Sequence, residues 1–446
     1  MTARRDLAAE LDARPMRPVQ WEVMVLCTLV ILLDGFDVQA IAFTAPAIAA
    51  DWNLAAVRLG PVFAAGLVGM AGGALLIGPL GDRYGRRTAL MGSVFTFGVF
   101  TALTAFARDV DQLIALRVLT GLGLGEALPN ATALMTEYAP ARRRALAVAV
   151  IFLGIPLGGM LGGVVAHALV PRWGWQSVFV VGGAAPLVLL PVLYARLPES
   201  VRLALLNPRQ VAGVAPVLAR LGLPGVAADY AQPEVGPPGA SVRQILAPGL
   251  AGDTLRLWAV FFVNLMAVYF LISWIPTLLV QAGHGLERAT QTSVLLNLGG
   301  ATGPLVLGAV TARYGTRRIL PAWFLAAAAA VAAVGQAGHS LGALMALTFL
   351  AGFFTFGAQI SMNALAAARY ATAVRATGVG WALGIGRLGS ILGPVVGGVL
   401  VGWALGLEVY FGLFGVLLVA AALVCAGIRG HVPPARAVQA SAEGTR

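Results

Sequence analysis

Long apolar runs broken by short polar stretches organise this chain of 446 residues. A helix needs about 20 apolar residues to cross a bilayer. Twelve runs reach that length, at about 21–50, 56–80, 88–107, 112–136, 145–169, 175–195, 254–281, 289–312, 318–336, 341–368, 375–402 and 408–428. The pattern predicts an all-α integral membrane protein of twelve transmembrane helices. Between the sixth and seventh runs, 196–253 is more polar and rich in proline. It reads as a linker, with a surface helix near 209–221 that Pro216 interrupts or kinks. The implied organisation is an N-terminal segment (1–20), a six-helix bundle (21–195), the linker (196–253), a second six-helix bundle (254–428) and a C-terminal tail (429–446).

The two halves repeat each other. Gly78-Pro-Leu-Gly-Asp82-Arg83-Tyr84-Gly85-Arg86-Arg87 follows the second run, and Gly308-Ala-Val-Thr-Ala312-Arg313-Tyr314-Gly315-Thr316-Arg317 follows the eighth. The offset of 230 also relates Pro46 to Pro276, Arg58 to Arg288 and Gly69 to Gly299. Drifting to 231–232, it relates Gly121 to Gly352, Tyr138 to Tyr370, and Gly158 and Gly162 to Gly389 and Gly393. Two pseudo-symmetric six-helix bundles are expected. A parallel repeat of this kind builds one large class of transporters, with substrate held near the midplane.

Composition narrows the function. The chain is 59% hydrophobic and 11% charged, against about 25% charged in an ordinary soluble domain. The 56 glycines suit close helix approach in lipid. The net charge of +11 does not indicate nucleic acid, because the arginines fall in short clusters between apolar runs. All 30 basic residues are arginine, so a lysine-based proton switch is excluded. The N-terminus, the loops after runs 2, 4, 6, 8 and 10, and the C-terminus hold 24 of them. By the positive-inside rule both termini and the linker are cytoplasmic. The mixed-charge start is not a secretory signal, since the first run is too long for one. Cys27 and Cys425 lie in apolar runs, and no Cys/His spacing suits a metal. No cofactor, and no enzyme chemistry, is expected.

The Gly78–Arg87 segment resembles the most diagnostic motif of the major facilitator superfamily. The resemblance implies a cytoplasmic gate latch built on Gly78, Asp82, Arg83, Gly85 and Arg86. Read as residues alone, the segment is topogenic charge plus a tight turn. The second copy has Ala312 where the first has Asp82, which places the latch in the N-terminal half. Within the superfamily, the chain resembles the aromatic acid:H⁺ symporters. The resemblance rests on Asp34-Gly35-Phe36-Asp37, Pro129-Asn130, Glu137-Tyr138-Ala139-Pro140-Ala141-Arg142-Arg143-Arg144, Leu197-Pro198-Glu199-Ser200-Val201-Arg202, Trp274-Ile275-Pro276-Thr277-Leu278-Leu279 and Gly386-Arg387-Leu388-Gly389. Glu126 departs from the small residue expected there.

Five ionisable residues lie well inside runs: Asp34, Asp37, Arg117, Glu126 and Arg387. A carboxylate at mid-bilayer costs about 2.5–3.5 kcal/mol on insertion scales, and its default reading is an ion or proton site. Asp34 and Asp37 lie within roughly 60° on a helix and about 4.5 Å apart along it. Mutual repulsion and burial favour protonation of one of them, and the pair titrates as a unit. The alternative is two packing acids neutralised by an arginine. Gly35 between them permits unwinding or close backbone approach. Arg387 presents a fork suited to a carboxylate, either a substrate's or that of a first-helix acid. Arg117 opens Arg117-Val-Leu-Thr-Gly121-Leu-Gly123-Leu-Gly125, which resembles another element of the superfamily; the resemblance implies a part in proton coupling, and plain helix pairing is the alternative. Glu126 lies about 13.5 Å further along, on nearly the opposite face, as a cavity group or an acid paired to a neighbouring helix.

The repeat places Asn264 and Ala267 opposite Asp34 and Asp37. Asn264, Gln359 and Asn363 are candidate polar lining, and Trp274, Tyr269 and Trp381 are candidate ring-stacking partners or packing residues. The expected protein is a monomeric, bacterial inner-membrane symporter. It takes up a small aromatic carboxylate, such as a hydroxybenzoate, with protons, as its two bundles alternate access. A carrier of a non-aromatic organic acid, a multidrug/H⁺ antiporter and a transport-inactive receptor are the alternatives.

Overall fold

A computed structural model describes residues 5–206, 214–223, 230, 241–338 and 340–428, except the side chains of Pro79, Leu80, Asp82, Ala204, Leu206 and Thr372. In the first half lie α1 (Leu7–Asp12), α2 (Pro18–Asp51), α3 (Leu59–Leu76), α4 (Gly78–Tyr84), α5 (Arg86–Thr104), α6 (Val110–Tyr138), α7 (Ala141–Trp173) and α8 (Gln176–Arg196). The linker forms α9 (Val201–Leu206), α10 (Val214–Leu221) and α11 (Val242–Ile245). In the second half follow α12 (Ala251–Gln281), α13 (Leu286–Tyr314), α14 (Thr316–Gly335), α15 (Leu341–Arg369), α16 (Thr372–Gly402) and α17 (Leu407–Ala426).

Among the described residues, the twelve long helices α2, α3, α5–α8 and α12–α17 fall on the twelve predicted runs, within four residues at every end. By length and composition, 10 helices qualify to cross a membrane. The other two are α5, which opens on Arg86 and Arg87, and α6, which carries Arg117, Glu126 and Asn130.

The structure decides three local expectations, and at Gly35 it takes the close backbone approach of the two alternatives. The second run is not one helix to residue 80: α3 ends at Leu76, and the Gly78–Tyr84 segment is itself helical. The chain turns after it, at Gly85, whose φ of 108° favours glycine. Gly315, its repeat partner, has a φ of 85°. Among the described residues α10 runs unbroken through Pro216, from Val214 to Leu221. Gly35 does not unwind α2, which runs unbroken; a Cβ there would overlap the Ile155 carbonyl of α7. Residues 209–213 of the predicted linker helix and the tail 429–446 lie outside the described residues.

Glycines let the helices cross, and they do so twice over. A Cβ on Gly69 or Gly73 of α3 would overlap the Val118 or Leu122 carbonyl of α6. Gly299 and Gly303 of α13 meet Phe349 and Phe353 of α15 in the same way. Gly158 of α7 abuts Leu32 of α2, and Gly389 of α16 abuts Phe262 of α12. These are the positions the repeat offset relates, so the duplication reaches the backbone contacts.

Contacts divide the chain into two compact units. The first comprises Met1–Gly236, Ile272–Leu298 and Pro394–Ala404; the second comprises Pro237–Leu271, Gly299–Gly393 and Leu405–Arg446. The arginine-poor ends of α12, α13 and α16 therefore pack within the first unit. There Gln39 of α2 and Asn297 of α13 exchange two side-chain hydrogen bonds of 2.9 and 2.7 Å. Both amides are buried, and Gly159 leaves the space they occupy. At the opposite end of this unit, α1 and α10 close the core through Leu11, Val214, Leu218 and Leu221.

Candidate functional site

In the first unit, Asp37 of α2 meets Arg117 of α6. Arg117 Nη1 donates to Asp37 Oδ2 at 3.1 Å, and Nη2 donates to Oδ1 at 3.3 Å. The two side chains are 1% and 3% exposed, so neither charge is shared with solvent. Three threonines complete the cage. The Thr101 hydroxyl donates to Asp37 Oδ1. Arg117 Nη2 also donates to Thr120 Oγ1 at 3.0 Å and Thr104 Oγ1 at 3.4 Å. Each of these two hydroxyls gives its own proton to its helix backbone, which leaves a lone pair for the guanidinium. The Phe179 ring of α8 lies 5.2 Å from the guanidinium carbon, within cation–π range. Asp34 is buried one turn earlier on α2.

A buried ion pair survives only when the geometry and the surrounding hydrogen bonds are good. Here both conditions hold while the carboxylate is charged. Protonating Asp37 would remove the carboxylate charge that Arg117 meets in this pair.

The second unit carries a different chemistry. Asn264 of α12 is fully buried and donates to Gln359 Oε1 of α15 at 2.9 Å and to the Thr355 carbonyl at 3.3 Å. Asn264 Oδ1, Asn363 Oδ1 and Trp258 Nε1 are buried polar atoms with no hydrogen-bond partner among the described residues. Arg387 sits mid-way along α16, partly buried. Its carbonyl accepts from Ser390, but its guanidinium makes no hydrogen bond or ion pair with any described residue. Two cations at mid-helix thus differ: among the described residues, Arg117 Nη1 and Nη2 have protein acceptors and the guanidinium of Arg387 has none.

The aromatic candidates separate. Trp274 is fully buried, donates from Nε1 to the Pro394 carbonyl at 2.9 Å and takes an edge contact from Phe63 at 5.2 Å. Its ring and its N–H are both occupied by protein. Trp381 stacks on Trp258 at 5.7 Å and is 45% exposed, as are Leu388 at 51% and Leu392 at 42% on the same face. Tyr269 lies on α12, partly buried.

Glu126 is buried far from the Asp37 cage. Its Oε2 accepts from Asn130 Nδ2 at 2.7 Å. Gly78 of α4 lies over its other oxygen, and Gly81 lies over Asn130. Glu126 also lines a cavity of about 250 Å³ with Ile77, Tyr84, Thr88, Ser93 and Thr96.

Around α4, Arg86 Nε donates to Glu137 Oε1 at 2.7 Å, and Ser200 donates to the other oxygen of Glu137. Glu199 accepts from the Arg87 and Ser200 amides at 3.0 and 2.8 Å. A Cβ on Gly85 would overlap that carboxylate. Tyr138 donates to the Glu199 carbonyl at 2.6 Å. Arg83 lies 5.4 Å from the Tyr84 ring, and the Asp82 side chain is outside the described set. In the second unit the position equivalent to Glu137 is Arg369, which pairs with Asp253 at 2.6 Å. The repeat position carries the opposite charge and takes its partner from a different place in the chain: Arg86 corresponds to Thr316, not to Asp253.

The threonine cage, Phe179, Trp258 and the Gln39–Asn297 exchange were not anticipated. Thr101 and Thr104 stand three apart in the third run, and a polar pair at helical spacing in an apolar run was the available signal.

The family model of the Major Facilitator Superfamily matches residues 27–334 and 289–446. The 4-hydroxybenzoate transporter of Pseudomonas aeruginosa is 42% identical over 405 residues, covering 90% of each chain. The gallate transporter of Pseudomonas putida is 39% identical over 421 residues, covering 94% of each. A solved structure of a xylose transporter from E. coli aligns at a TM-score of 0.72 and 18% identity, covering 95% of this chain and 99% of the other, and shares the fold. The duplicated all-α architecture, the glycine-anchored Gly78–Arg87 segment and these matches lead to one assignment: the chain is a multi-pass membrane transporter of the major facilitator superfamily.

Proposed function

We propose that this transporter takes up a small aromatic carboxylate, such as a hydroxybenzoate, together with protons, by alternating access across a bacterial inner membrane. The observation that carries the reading is the buried Asp37–Arg117 pair, a carboxylate inside a membrane helix held by an arginine of another. Asp37 and Asp34 are the coupling acids, and Arg117 holds Asp37 while it is charged. The unsatisfied guanidinium of Arg387 supports an anionic substrate, since a carboxylate supplies the bidentate acceptor it lacks. Asn264, Gln359 and Asn363 offer polar contacts for ring hydroxyls. The names of the relatives, 4-hydroxybenzoate and gallate transporters, support an aromatic ring on that carboxylate. The α4 segment with Arg86, Glu137 and Glu199 is the gate on the arginine-rich side, which the charge tally makes cytoplasmic. The working unit is a monomer.

The test is uptake of labelled 4-hydroxybenzoate into proteoliposomes with an imposed pH gradient. Accumulation that a protonophore collapses, and that Asp37→Asn abolishes, is expected. Accumulation indifferent to the protonophore would overturn symport, and stabilisation by organic cations but not by aromatic acids would overturn the substrate class.

A further inference from the structure

Arg117 uses two of its three guanidinium nitrogens. Nη1 and Nη2 bind Asp37, Thr104 and Thr120. Nε is buried and has no hydrogen-bond partner. A buried charged donor without an acceptor is costly, and where room exists such groups are met by ordered water.

The room is beside the same pair. A cavity of about 20 Å³, the space open to the centre of a water molecule, is lined by Asp37, Arg117, Val62, Phe63, Gly66 and Leu67. One water needs about 10–15 Å³ on that measure, and two to four polar partners. The wall provides the Arg117 donor and the Asp37 carboxylate. Asp37 Oδ1 already accepts from Thr101 and Nη2, whereas Oδ2 accepts from Nη1 alone. The rest of the wall, on α2, α3 and α6, is apolar.

We propose that this cavity is a built water site and that its water is the last carrier of the proton to Asp37. The proposal rests on Asp37 being a coupling carboxylate. A hydronium ion formed there gives its proton to Asp37 Oδ2. One O–H bond breaks on the hydronium, one forms on the carboxyl group, and a neutral water stays behind with Arg117 Nε as its donor. The charged and titratable groups facing Asp37 are Arg117 on α6 and Asp34 on α2. α5 offers only the Thr101 and Thr104 hydroxyls, α8 offers the Phe179 ring, and α3 has no ionisable residue. No second base competes for the proton from the α3 side.

Gly66 gives the test. A Cβ there would meet only the Arg117 carbonyl, at 3.8 Å, so alanine fits and fills the cavity with a methyl group. Gly66→Ser puts a hydroxyl in the place of the water. The full chain in proteoliposomes is exposed to an X-ray pulse in ¹⁸O-water, and oxygen labelling of Phe63 is read by mass spectrometry. Labelling is expected in the parent and several-fold less in Gly66→Ala. Uptake of 4-hydroxybenzoate driven by a pH gradient should fall about tenfold in Gly66→Ala, exchange at equal pH should stay within twofold, and Gly66→Ser should recover most of the loss. Unchanged Phe63 labelling, or unchanged gradient-driven uptake in Gly66→Ala while Asp37→Asn is inactive, would overturn the water site alone. An equal loss of exchange would make Gly66 a packing residue and also overturn it. Accumulation by Asp37→Asn would instead sink the coupling role of Asp37.

Discussion

Substituting Asp37→Asn removes a charge and almost no volume, so its effect is electrostatic. The carboxylate accepts three hydrogen bonds, from Nη1, Nη2 and Thr101. An amide has one oxygen for those three donors, and its NH₂ adds two more. Arg117, 3% exposed at its side chain, keeps its charge and loses its counter-ion. Breaking one partner of a buried pair costs about 3–5 kcal/mol. Arg117→Met removes the other partner and leaves the carboxylate buried without its counter-ion. The double variant removes both charges and should recover most of the loss. Denaturant unfolding of the purified protein measures all four corners of the cycle. Single variants that each cost under about 1 kcal/mol, and that add in the double variant, would refute a desolvated pair. In transport, Asp37→Asn fixes the protonated state. Concentrative uptake should vanish while exchange persists; an Asn variant that still accumulates substrate would refute the coupling role.

Arg387→Ala should abolish binding of the acid, and Arg387→Lys should raise the half-saturation concentration. Neither should change the unfolding free energy by more than about 0.5 kcal/mol, because the guanidinium has no acceptor among the described residues; parent-like transport by Arg387→Ala rejects the anchor. Gln39→Leu and Asn297→Leu each leave a buried amide without its partner, at about 1–3 kcal/mol. The Leu/Leu pair should cost less than the two singles together, and a thermal-shift cycle that adds would count against the exchange. Gly158→Val should prevent assembly, because even a Cβ there overlaps the Leu32 carbonyl; normal membrane levels of folded protein would contradict that crossing. Glu137→Gln leaves Arg86 with a neutral partner and should raise the accessibility of a cysteine at Thr88 to a thiol reagent; unaltered labelling counts against the latch.

Much of the fold is legible along the chain, because lipid makes length and apolarity sufficient to define a helix. The twelve runs, the repeat and the turn glycines Gly85 and Gly315 follow from that constraint. The helical form of Gly78–Tyr84 was not legible, since seven residues of mixed polarity carry no decisive period. The site was half legible. Charges inside apolar runs announce themselves, so Asp34, Asp37, Arg117 and Arg387 stand out. Their partners do not, because a threonine in a membrane helix is ordinary and its role depends on which neighbour it faces.

The sequence by itself determined which groups are expensive to bury, how many helices carry them, and that the second half kept the frame but not the acids. Tertiary structure alone decided the pairing. It gave Asp37 to Arg117 and left the guanidinium of Arg387 without an acceptor among the described residues. It turned Trp274 into packing and set a water-sized space beside Arg117 Nε. The reason is physical: the cost of a buried charge belongs to the residue, but its compensation is a distance of about 3 Å, and only helices brought together from distant parts of the chain can set it.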